Sequence, residues 1–306
     1  MQEIRVTAPA TVANVVCGFD CLGFAIDRPR DEMTVRLEPR GGIRIANLDD
    51  LGLPVEPDRN VAGVAAAAVL RASGSDAGIV IESRKSIKPG SGIGSSAASA
   101  AAAAVAVNEL LGRPFTRYEL IDLALEGEEL ASGARHADNV APCLLGGFTL
   151  VRSLDPLDVI SIASPSLWAT VIHPQVEVKT ADARAMLPAE VPLRSAITQW
   201  SNVGALVAGL ITGDHGLIGR SLTDVIVEPV RKKLIPGYDE IRDAGLAAGA
   251  LGGGISGSGP SMFMLSRDEM TANRVEAAIR AAFLPRHIEF NTYVSRIGPD
   301  GVTIVS

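Results

Sequence analysis

The sequence predicts an α+β protein built from two domains. Apolar residues make up 47% of its 306 residues and charged residues 21%, which is typical of a chain that folds around hydrophobic cores. Strand and helix patterns alternate along the chain, but not in the regular βαβ order of a doubly wound sheet. The pattern changes in residues 155–166, which contain two prolines, so we expect domains of residues 1–160 and 161–306.

Each element of the first half has a local signal. Alternating apolar residues predict strands, continuous apolar stretches predict buried helices, and Thr116 with Glu119 forms a capping box that starts a helix. The predicted strands cover residues 4–8, 33–37, 78–82 and 144–151, and the predicted helices cover residues 61–72, the alanine-rich stretch after residue 95, and 116–130. Residues 9–20 lack a regular pattern and are expected to form a loop that can carry function.

The second half shows the same two patterns. Its predicted strands cover residues 169–173, 261–266 and 289–297, and its predicted helices cover residues 193–211, 237–248 and 268–283.

Charge and cysteine content exclude several classes of protein. The formal charge of −7 gives no electrostatic case for nucleic-acid binding. The apolar stretch at residues 97–107 is too short to span a bilayer, and the N-terminus lacks the apolar core of an export signal. Cys17, Cys21 and Cys143 lack the spacing of a zinc site and are expected to be reduced thiols. We therefore expect a cytoplasmic protein that binds neither nucleic acid nor membrane.

Residues 89–99, PGSGIGSSAAS, form the most distinctive segment. Its three glycines allow positive φ and close approach to a ligand, and Ser95 or Ser96 can cap the helix that the alanines continue. The N–H groups at such a helix start bind anions, most often phosphate. The segment has neither the lysine of a Walker A loop nor the spacing of a dinucleotide fingerprint. On the glycines alone, a plain loop before a core helix is an equal alternative.

Two further clusters of polar residues lie between residues 126 and 142. Residues 136–142, HADNVAP, place a histidine, a carboxylate and an amide beside an apolar run, where polar groups are expected to be buried and paired. A polar turn between a helix and a strand is the alternative. Glu126, Glu128 and Glu129 lie near the end of a predicted helix, and one of them with the Ser96 hydroxyl suits Mg²⁺. A solvated helix face is the alternative for this cluster.

The motifs resemble those of a known family. Residues 89–99 resemble the phosphate-binding motif P-x-x-x-G-L-G-S-S-A-A of the GHMP kinase superfamily, with Ile93 in place of leucine. Residues 136–148 resemble the motif H-x-D-N-V-A-P-x-L-L-G-G-F of its homoserine kinase branch. Residues 8–20 resemble that branch's P-A-T-x-A-N-L-G-P-G-F-D, although residues 15–17 (VVC) replace L-G-P. Residues 252–261 resemble G-x-x-x-S-G-S-G-P-S, so the resemblance covers the whole chain.

The resemblance implies a fold and an activity. The fold is the two-domain GHMP kinase fold, with a ribosomal protein S5 domain 2-like N-terminal domain and a ferredoxin-like C-terminal domain. The activity is ATP-dependent phosphorylation of the side-chain hydroxyl of L-homoserine to O-phospho-L-homoserine, a step of threonine biosynthesis, in an enzyme that is a homodimer. The alternatives are another small-molecule GHMP kinase of the shikimate type and a non-catalytic amino-acid sensor on the same fold.

The resemblance also implies the residues that bind ATP and Mg²⁺. Glu128 with Ser96 is the expected metal-binding pair. The upstream cations Lys85 and Lys88 could assist the phosphates. The expected nucleotide-binding residues are Asn60, Lys88, Pro89, Gly90, Ser91, Gly92, Ile93, Gly94, Ser95, Ser96, Ala97, Ala98, Ser99 and Gly257.

The resemblance also implies residues that bind L-homoserine through complementary charges. A carboxylate suits the planar forks of Arg184 and Arg231, although an isolated arginine is more often a surface residue. An ammonium group suits Asp20 and Asp138. The expected hydrogen-bonding residues of the same pocket are Asn14, His136 and Thr180.

Asn139 occupies the position at which mevalonate kinase relatives have an aspartate near the acceptor hydroxyl. An amide cannot accept a proton as a carboxylate does. A loose phosphoryl-transfer transition state develops little charge on the nucleophile, so positioning and electrostatics can carry the reaction. We therefore expect direct in-line transfer without a dedicated catalytic base, with Asn139 and Asn14 orienting the hydroxyl.

Overall fold

The structure, a computed structural model, describes residues 2–39, 41–178 and 180–305, without the side chains of Thr180 and Ala181. The described strands are β1 Glu3–Ala13, β2 Leu22–Glu38, β3 Ile43–Asn47, β4 Gly78–Arg84, β5 Phe148–Leu154, β6 Leu157–Ile162, β7 Trp168–Pro174, β8 Gly252–Ile255, β9 Met262–Ser266, β10 Phe290–Arg296 and β11 Thr303–Ile304. The described α-helices are α1 Val61–Ser73, α2 Ser95–Leu110, α3 Arg117–Ser132, α4 Ala137–Leu145, α5 Thr180–Ala185, α6 Leu193–Thr212, α7 His215–Ser221, α8 Glu228–Arg231, α9 Tyr238–Ala247 and α10 Glu269–Phe283.

The strands form two sheets, which confirms the predicted α+β class. The larger sheet has the order β11-β1-β2-β4-β3, and β5 pairs with the start of β2 and with β6. The smaller sheet has the order β10-β7-β9-β8, with antiparallel pairing throughout. The chain passes from the larger sheet to the smaller between Ile162 and Trp168, and β11 returns to pair with β1.

Helix α2 lies at the centre of the larger core. It is buried on nearly every side, because a run of alanines presents little bulk and lets α1, α3 and β1 pack closely around it. Since the helix is surrounded by other elements, its position is fixed. Its N-terminus therefore holds a fixed place at the edge of a cavity that Gly94, Ser95 and Ser96 line.

Most predicted helices and strands are confirmed within a few residues. Helix α3 starts with the predicted capping box, in which the Thr116 side chain accepts from the Glu119 N–H and the Glu119 carboxylate accepts from the Thr116 N–H. Asp268 similarly caps α10 by accepting from the Thr271 N–H.

Three predictions of local structure are wrong. The strand expected over residues 144–151 begins only at Phe148, because residues 137–145 form α4 with Pro142 inside the helix. The loop expected over residues 9–20 begins only at Asn14, since β1 continues to Ala13 through a shift of register between Pro9 and Thr11. Ser95 and Ser96 are the first residues of α2 and not its cap.

Candidate functional site

A cavity of about 360 Å³ lies between the start of α2, the end of α3, and the loops of the second half of the chain. It brings together most of the residues that the sequence points to. The predicted residues that line it are Asn14, Asp20, Asn60, Pro89, Gly90, Ser91, Gly92, Gly94, Ser95, Ser96, Ser99, Glu128, His136, Asp138, Asn139, Arg184, Arg231 and Gly257.

The glycine loop, residues 89–94, forms one wall of the cavity. Gly90, Gly92 and Gly94 have φ values of 73°, 79° and 72°, the left-handed region that favours glycine. Gly94 occupies the cap position of α2, and no side chain caps the helix there. The first N–H groups of α2 therefore meet the cavity at the positive end of the helix dipole, where an anion is stabilised.

A second glycine loop, residues 256–259, packs directly against the first. The Ser256 hydroxyl donates to the Gly92 carbonyl at 2.7 Å, and the Ser261 hydroxyl donates to the Ser91 carbonyl at 2.6 Å. A Cβ at Gly92 would lie 2.6 Å from the Gly259 carbonyl oxygen, so only glycine fits there. The contact holds the glycine loop in one conformation.

Four predicted nucleotide-binding residues do not line the cavity. Lys88 donates to the Gln175 side chain at 2.5 Å, Ile93 packs in the core, and Ala97 and Ala98 are buried inside α2. The Thr180 side chain lies outside the described part of the chain. Ile93, Ala97 and Ala98 support the loop through packing, because their side chains are buried in the core beneath it.

Lys85 lines the cavity but is already engaged. Its ammonium group forms a buried ion pair with Asp31 and donates to the Ser95 carbonyl at 2.7 Å and the Ser99 hydroxyl at 2.9 Å. Asp31 also accepts from two backbone N–H groups after Lys85. The pair therefore anchors the strand before the glycine loop to the first turn of α2.

Among the three clustered glutamates, only Glu128 reaches the cavity. Glu126 pairs with Arg71 at 2.6 Å, and Glu129 is exposed to solvent. Glu128 is 7% exposed, and burial raises the pKa of its carboxyl to about 7, although the nearby Ser96 hydroxyl acts to lower this pKa. Its Oε2 is buried and has no hydrogen-bond partner among the described atoms.

This pair of oxygen donors fits a small divalent cation. A buried carboxylate oxygen without a partner is unfavourable unless a cation or donor completes the site. Among the described residues there is no group of three or more His, Cys, Asp and Glu side chains able to hold a metal. A cation at Glu128 and Ser96 would therefore take its other ligands from a bound anion and water, as Mg²⁺ commonly does.

An acidic region lies beside Glu128. Asp138, the second residue of α4, is 3% exposed, and the N–H groups of Asp138 and Asn14 favour the ionised form of its carboxylate. Burial, with the charges of Asp20 and Glu128, raises the pKa of its carboxyl to about 7. Asn14 holds the neighbouring turn, because its amide accepts from the Asp20 N–H at 3.0 Å and donates to the Gly257 carbonyl at 2.8 Å. A bound ammonium group would neutralise this region.

Two arginines face the acidic region from the second half of the chain. Arg184 donates to both carboxylate oxygens of Asp20 at 2.9 and 2.8 Å, while its Nε is buried without a partner. Arg231 is 3% exposed and donates to the carbonyls of Ala183 and Gly257 at 3.2 and 3.3 Å. Burial lowers the pKa of Arg231, and the charge of Arg184 lowers it further. Two guanidinium groups so close together favour a bound anion.

Asn139 and His136 complete the cavity wall. The Thr11 hydroxyl donates to the Asn139 Oδ1 at 2.7 Å, beneath Gly94. The His136 Nδ1 lies 3.7 Å from Asp20, and its Nε2 is buried without a described partner. Burial lowers the pKa of His136, against the effect of Asp20, so the ring is neutral near pH 7.

The turn that departs from the family motif is strained. Val15 and Val16 have φ values of 43° and 62°, which β-branched residues rarely adopt. Both side chains are buried in the core, which stabilises the turn. This strained turn precedes Asp20, which lines the cavity.

Sequence reasoning missed two side chains that act on the site. Phe19 places its ring 4.9 Å from the Arg231 guanidinium and 5.4 Å from that of Arg184, as a cation–π platform for both. Thr11 lies in the motif of residues 8–20, but its contact with Asn139 joins residues 128 positions apart. The G-F-D string was the available signal for Phe19.

Family models, curated proteins and solved structures all match this chain to GHMP kinases. Residues 60–147 match the model of the GHMP kinases N terminal domain, and residues 206–284 match that of the GHMP kinases C terminal. The homoserine kinase of Chlorobium phaeobacteroides is 45% identical over all of both chains. The crystal structure of homoserine kinase from Cytophaga hutchinsonii is 50% identical, with a TM-score of 0.96 over 100% of this chain and 98% of that one.

A more distant structure shares only the fold. The mevalonate kinase of L. major, solved in complex with R-mevalonate, is 18% identical, with a TM-score of 0.72 over 95% of each chain. Among the described residues, no helix is both long and apolar enough to cross a membrane.

Proposed function

Because this chain belongs to the homoserine kinases of the GHMP kinase superfamily, we propose that its cavity transfers the γ-phosphoryl group of ATP to the side-chain hydroxyl of L-homoserine. The product is O-phospho-L-homoserine, an intermediate of threonine biosynthesis. One observation carries the proposal: a single cavity joins an anion-binding helix start to a paired acidic and basic region. That region suits the ammonium and carboxylate of an amino acid.

The triphosphate binds along the glycine loop and the start of α2. The backbone N–H groups there supply the positive potential that a lysine supplies in a Walker A loop. Asn60 and the remaining cavity residues of the glycine loop bind the rest of the nucleotide. Lys85 contributes by fixing the Ser95 carbonyl and the Ser99 hydroxyl, and so the first turn of α2.

Mg²⁺ fits the pair formed by Ser96 and Glu128. When bound, it supplies charge neutralisation for the phosphate oxygens. The unpartnered Glu128 Oε2 supports this assignment. Its binding would also favour the ionised form of the Glu128 carboxyl, whose pKa burial raises to about 7.

The amino acid binds at the other end of the cavity. Arg231 and Arg184 take its carboxylate, while Asp20 and Asp138 take its ammonium group. His136, as a neutral ring, and Thr180 add hydrogen bonds. Asn14 acts through Asp20, whose backbone it holds. The Arg184–Asp20 pair thus offers one partner to each end of the substrate.

The hydroxyl then lies between these residues and the helix start, next to Asn139. The new oxygen–phosphorus bond forms as the bond to the ADP oxygen breaks. The hydroxyl proton passes to an oxygen of the transferred phosphoryl group, because no carboxylate takes the place of Asn139. Positioning and electrostatics carry the reaction, as a loose transition state allows.

A coupled assay of ADP release tests the activity. The protein with MgATP should turn over L-homoserine and leave shikimate, mevalonate and galactose unphosphorylated. Turnover of shikimate instead would favour the shikimate-type alternative, and binding of homoserine without ADP release would favour an amino-acid sensor. Either result would overturn the proposal.

The assembly that we propose is a homodimer formed through α6. Leu193, Ile197, Trp200, Gly204, Ala208 and Ile211 recur at helical spacing on one exposed face, and Trp200 is 57% exposed. A 20-residue helix presents this face over about 30 Å, and a symmetric contact would bury the same face on both copies. Light scattering should give a dimer mass that Trp200→Glu converts to a monomer mass, and a monomeric unmutated protein would contradict it.

We also propose a domain division and a cellular location. We place the domain division near residue 160, in the last strand of the larger sheet before the chain passes to the smaller one, with β11 crossing back to the first domain. A cytoplasmic location is supported by Cys17, Cys21 and Cys143, which are free thiols.

A further inference from the structure

Thr11 is completely buried where β1 passes beneath the glycine loop. Its backbone N–H donates to the Ile93 carbonyl at 3.1 Å, and its hydroxyl donates to the Asn139 Oδ1 at 2.7 Å. A Cβ at Gly94 would lie 2.0 Å from the Thr11 hydroxyl oxygen and 3.1 Å from Asn139 Oδ1. One residue therefore touches both the cap of the anion-binding helix and the side chain next to the expected reacting hydroxyl.

The direction of this hydrogen bond decides which end of the Asn139 amide enters the cavity. The Thr11 hydroxyl proton has no other acceptor among the described residues, and a buried hydroxyl proton is rarely left unpaired. The amide oxygen must therefore face Thr11. The amide nitrogen, for which the described residues offer no partner, is left facing the cavity that Asn139 lines.

We propose that Thr11 is a positioning residue that turns the Asn139 amide so that its NH₂ group, and not its oxygen, faces the transferred phosphoryl group. This proposal rests on the kinase activity proposed above. In a loose transition state, negative charge lies on the equatorial phosphoryl oxygens, so a fixed N–H donor stabilises it. Asn139 is then an electrostatic donor and takes no proton from the substrate.

The first test compares Thr11→Val with Thr11→Ser. Valine has nearly the shape of threonine but no hydroxyl, so the amide loses the group that orients it. We expect kcat to fall about tenfold with KM for ATP within about twofold, because the nucleotide contacts remain; tenfold in rate corresponds to about 1.4 kcal/mol. Serine keeps the donor and should retain kcat within about twofold. Equal kcat for the two variants would overturn the proposal.

A double-mutant cycle separates positioning from a structural role. If Thr11 acts through Asn139, Thr11→Val should lower kcat about tenfold in the parent protein but less than twofold in the Asn139→Ala variant. Independent effects that multiply would show that Thr11 acts on the fold or the glycine loop instead. Melting temperatures of all variants, measured without ligand, identify a variant that is merely unstable. Thr11→Ala takes the place of Thr11→Val if valine prevents folding.

Asn139→Asp tests the donor role itself. Aspartate offers an oxygen toward the cavity and adds negative charge beside the phosphoryl group, so kcat should fall at least tenfold at pH 8. A variant as active as the parent would show that this position works as an acceptor, which contradicts the proposal. If the unmutated protein does not phosphorylate homoserine, the proposed function fails instead, so the two failures are distinguishable.

Discussion

Glu128 and Glu228 lie in different regions of the molecule and share one property. Both carboxyls are buried, and burial raises the pKa of each to about 7. Glu228 uses both of its oxygens, since Oε1 accepts from the Ile255 N–H and Oε2 from the Tyr238 hydroxyl, each at 2.7 Å. Glu128 lies near the Ser96 hydroxyl, and its Oε2 has no hydrogen-bond partner among the described residues.

The difference separates a binding role from a structural one. Burial alone does not identify a functional carboxylate, because both residues are buried. The unpartnered oxygen of Glu128 does identify one, since a ligand can complete its hydrogen bonding or coordination there. Glu228 instead joins α8 to β8, and so connects the helix that ends at Arg231 to the strand that leads into the second glycine loop.

The largest expected effect is on activity, from Glu128→Gln. The amide keeps the shape but removes the charge that would hold the cation, so kcat should fall by about a hundredfold or more. Melting without ligand at pH 8 should occur at a higher temperature than in the parent, because a buried charge is removed. Glu129→Gln, one residue along at an exposed position, is the matched control and should change neither quantity.

Full activity of Glu128→Gln would show that the unpartnered oxygen has no role in catalysis. A melting temperature that falls with the loss of activity would mean that Glu128 is structural, as Glu228 is. Isothermal titration with Mg²⁺ and a non-hydrolysable ATP analogue measures the cation directly. The variant should lose the Mg²⁺ dependence of analogue binding, and Glu129→Gln should keep it.

The next effect is on stability, from Glu228→Ala. This change leaves the Ile255 N–H and the Tyr238 hydroxyl without their acceptor, and each unsatisfied buried group costs about 1–3 kcal/mol. We expect the free energy of unfolding in urea to fall by about 2–4 kcal/mol. KM for homoserine should rise more than KM for ATP, because Arg231 ends the helix that Glu228 anchors. A stable variant with unchanged KM values would show that the connection is not needed.

The sequence predicts the repeated and local features of this molecule well. The Thr116 capping box, the positive φ values of the glycine loop, and the alanine helix each depend on neighbours within a few residues. The strand β3 was missed because its pairing with β4 depends on residues more than 30 positions away. Helix α4 was missed because it is short and contains Pro142, and a proline inside a helix is unfavourable.

In the site, too, local sequence features were predictable and long-range contacts were not. The motifs identified most of the residues that line the cavity, but not the contacts between distant segments that give those residues their roles. The choice among the three clustered glutamates needed the direction of each side chain on α3, and only Glu128 faces Ser96. The hydrogen-bond partners of Glu228 lie 10 and 27 residues away on separate elements, so no local sequence pattern predicts them.

The smallest expected effect is the pH dependence of stability in Glu228→Gln. A glutamine oxygen can accept from the Ile255 N–H while its NH₂ group donates to the Tyr238 hydroxyl oxygen, so both contacts survive. The folded protein holds the Glu228 proton more tightly than the unfolded chain, since the pKa rises from 4.5 to about 7. The parent therefore loses stability from this group as pH rises from about 4.5 to 7 and loses no more above it.

The variant lacks this titration. Its free energy of unfolding, relative to the parent, should therefore increase by on the order of 2 kcal/mol between pH 5 and pH 8. Asp224 raises the pKa of Glu228 and Arg242 lowers it, and Tyr238 stays protonated because burial raises its pKa further above neutral. Glu128 and Asp138 titrate in both proteins, so their contributions cancel in the difference.

Urea unfolding of the parent and of Glu228→Gln at the two pH values measures this difference. Parallel stability curves would mean that Glu228 stays ionised throughout. Its proton would then play no part in joining Arg231 to the second glycine loop.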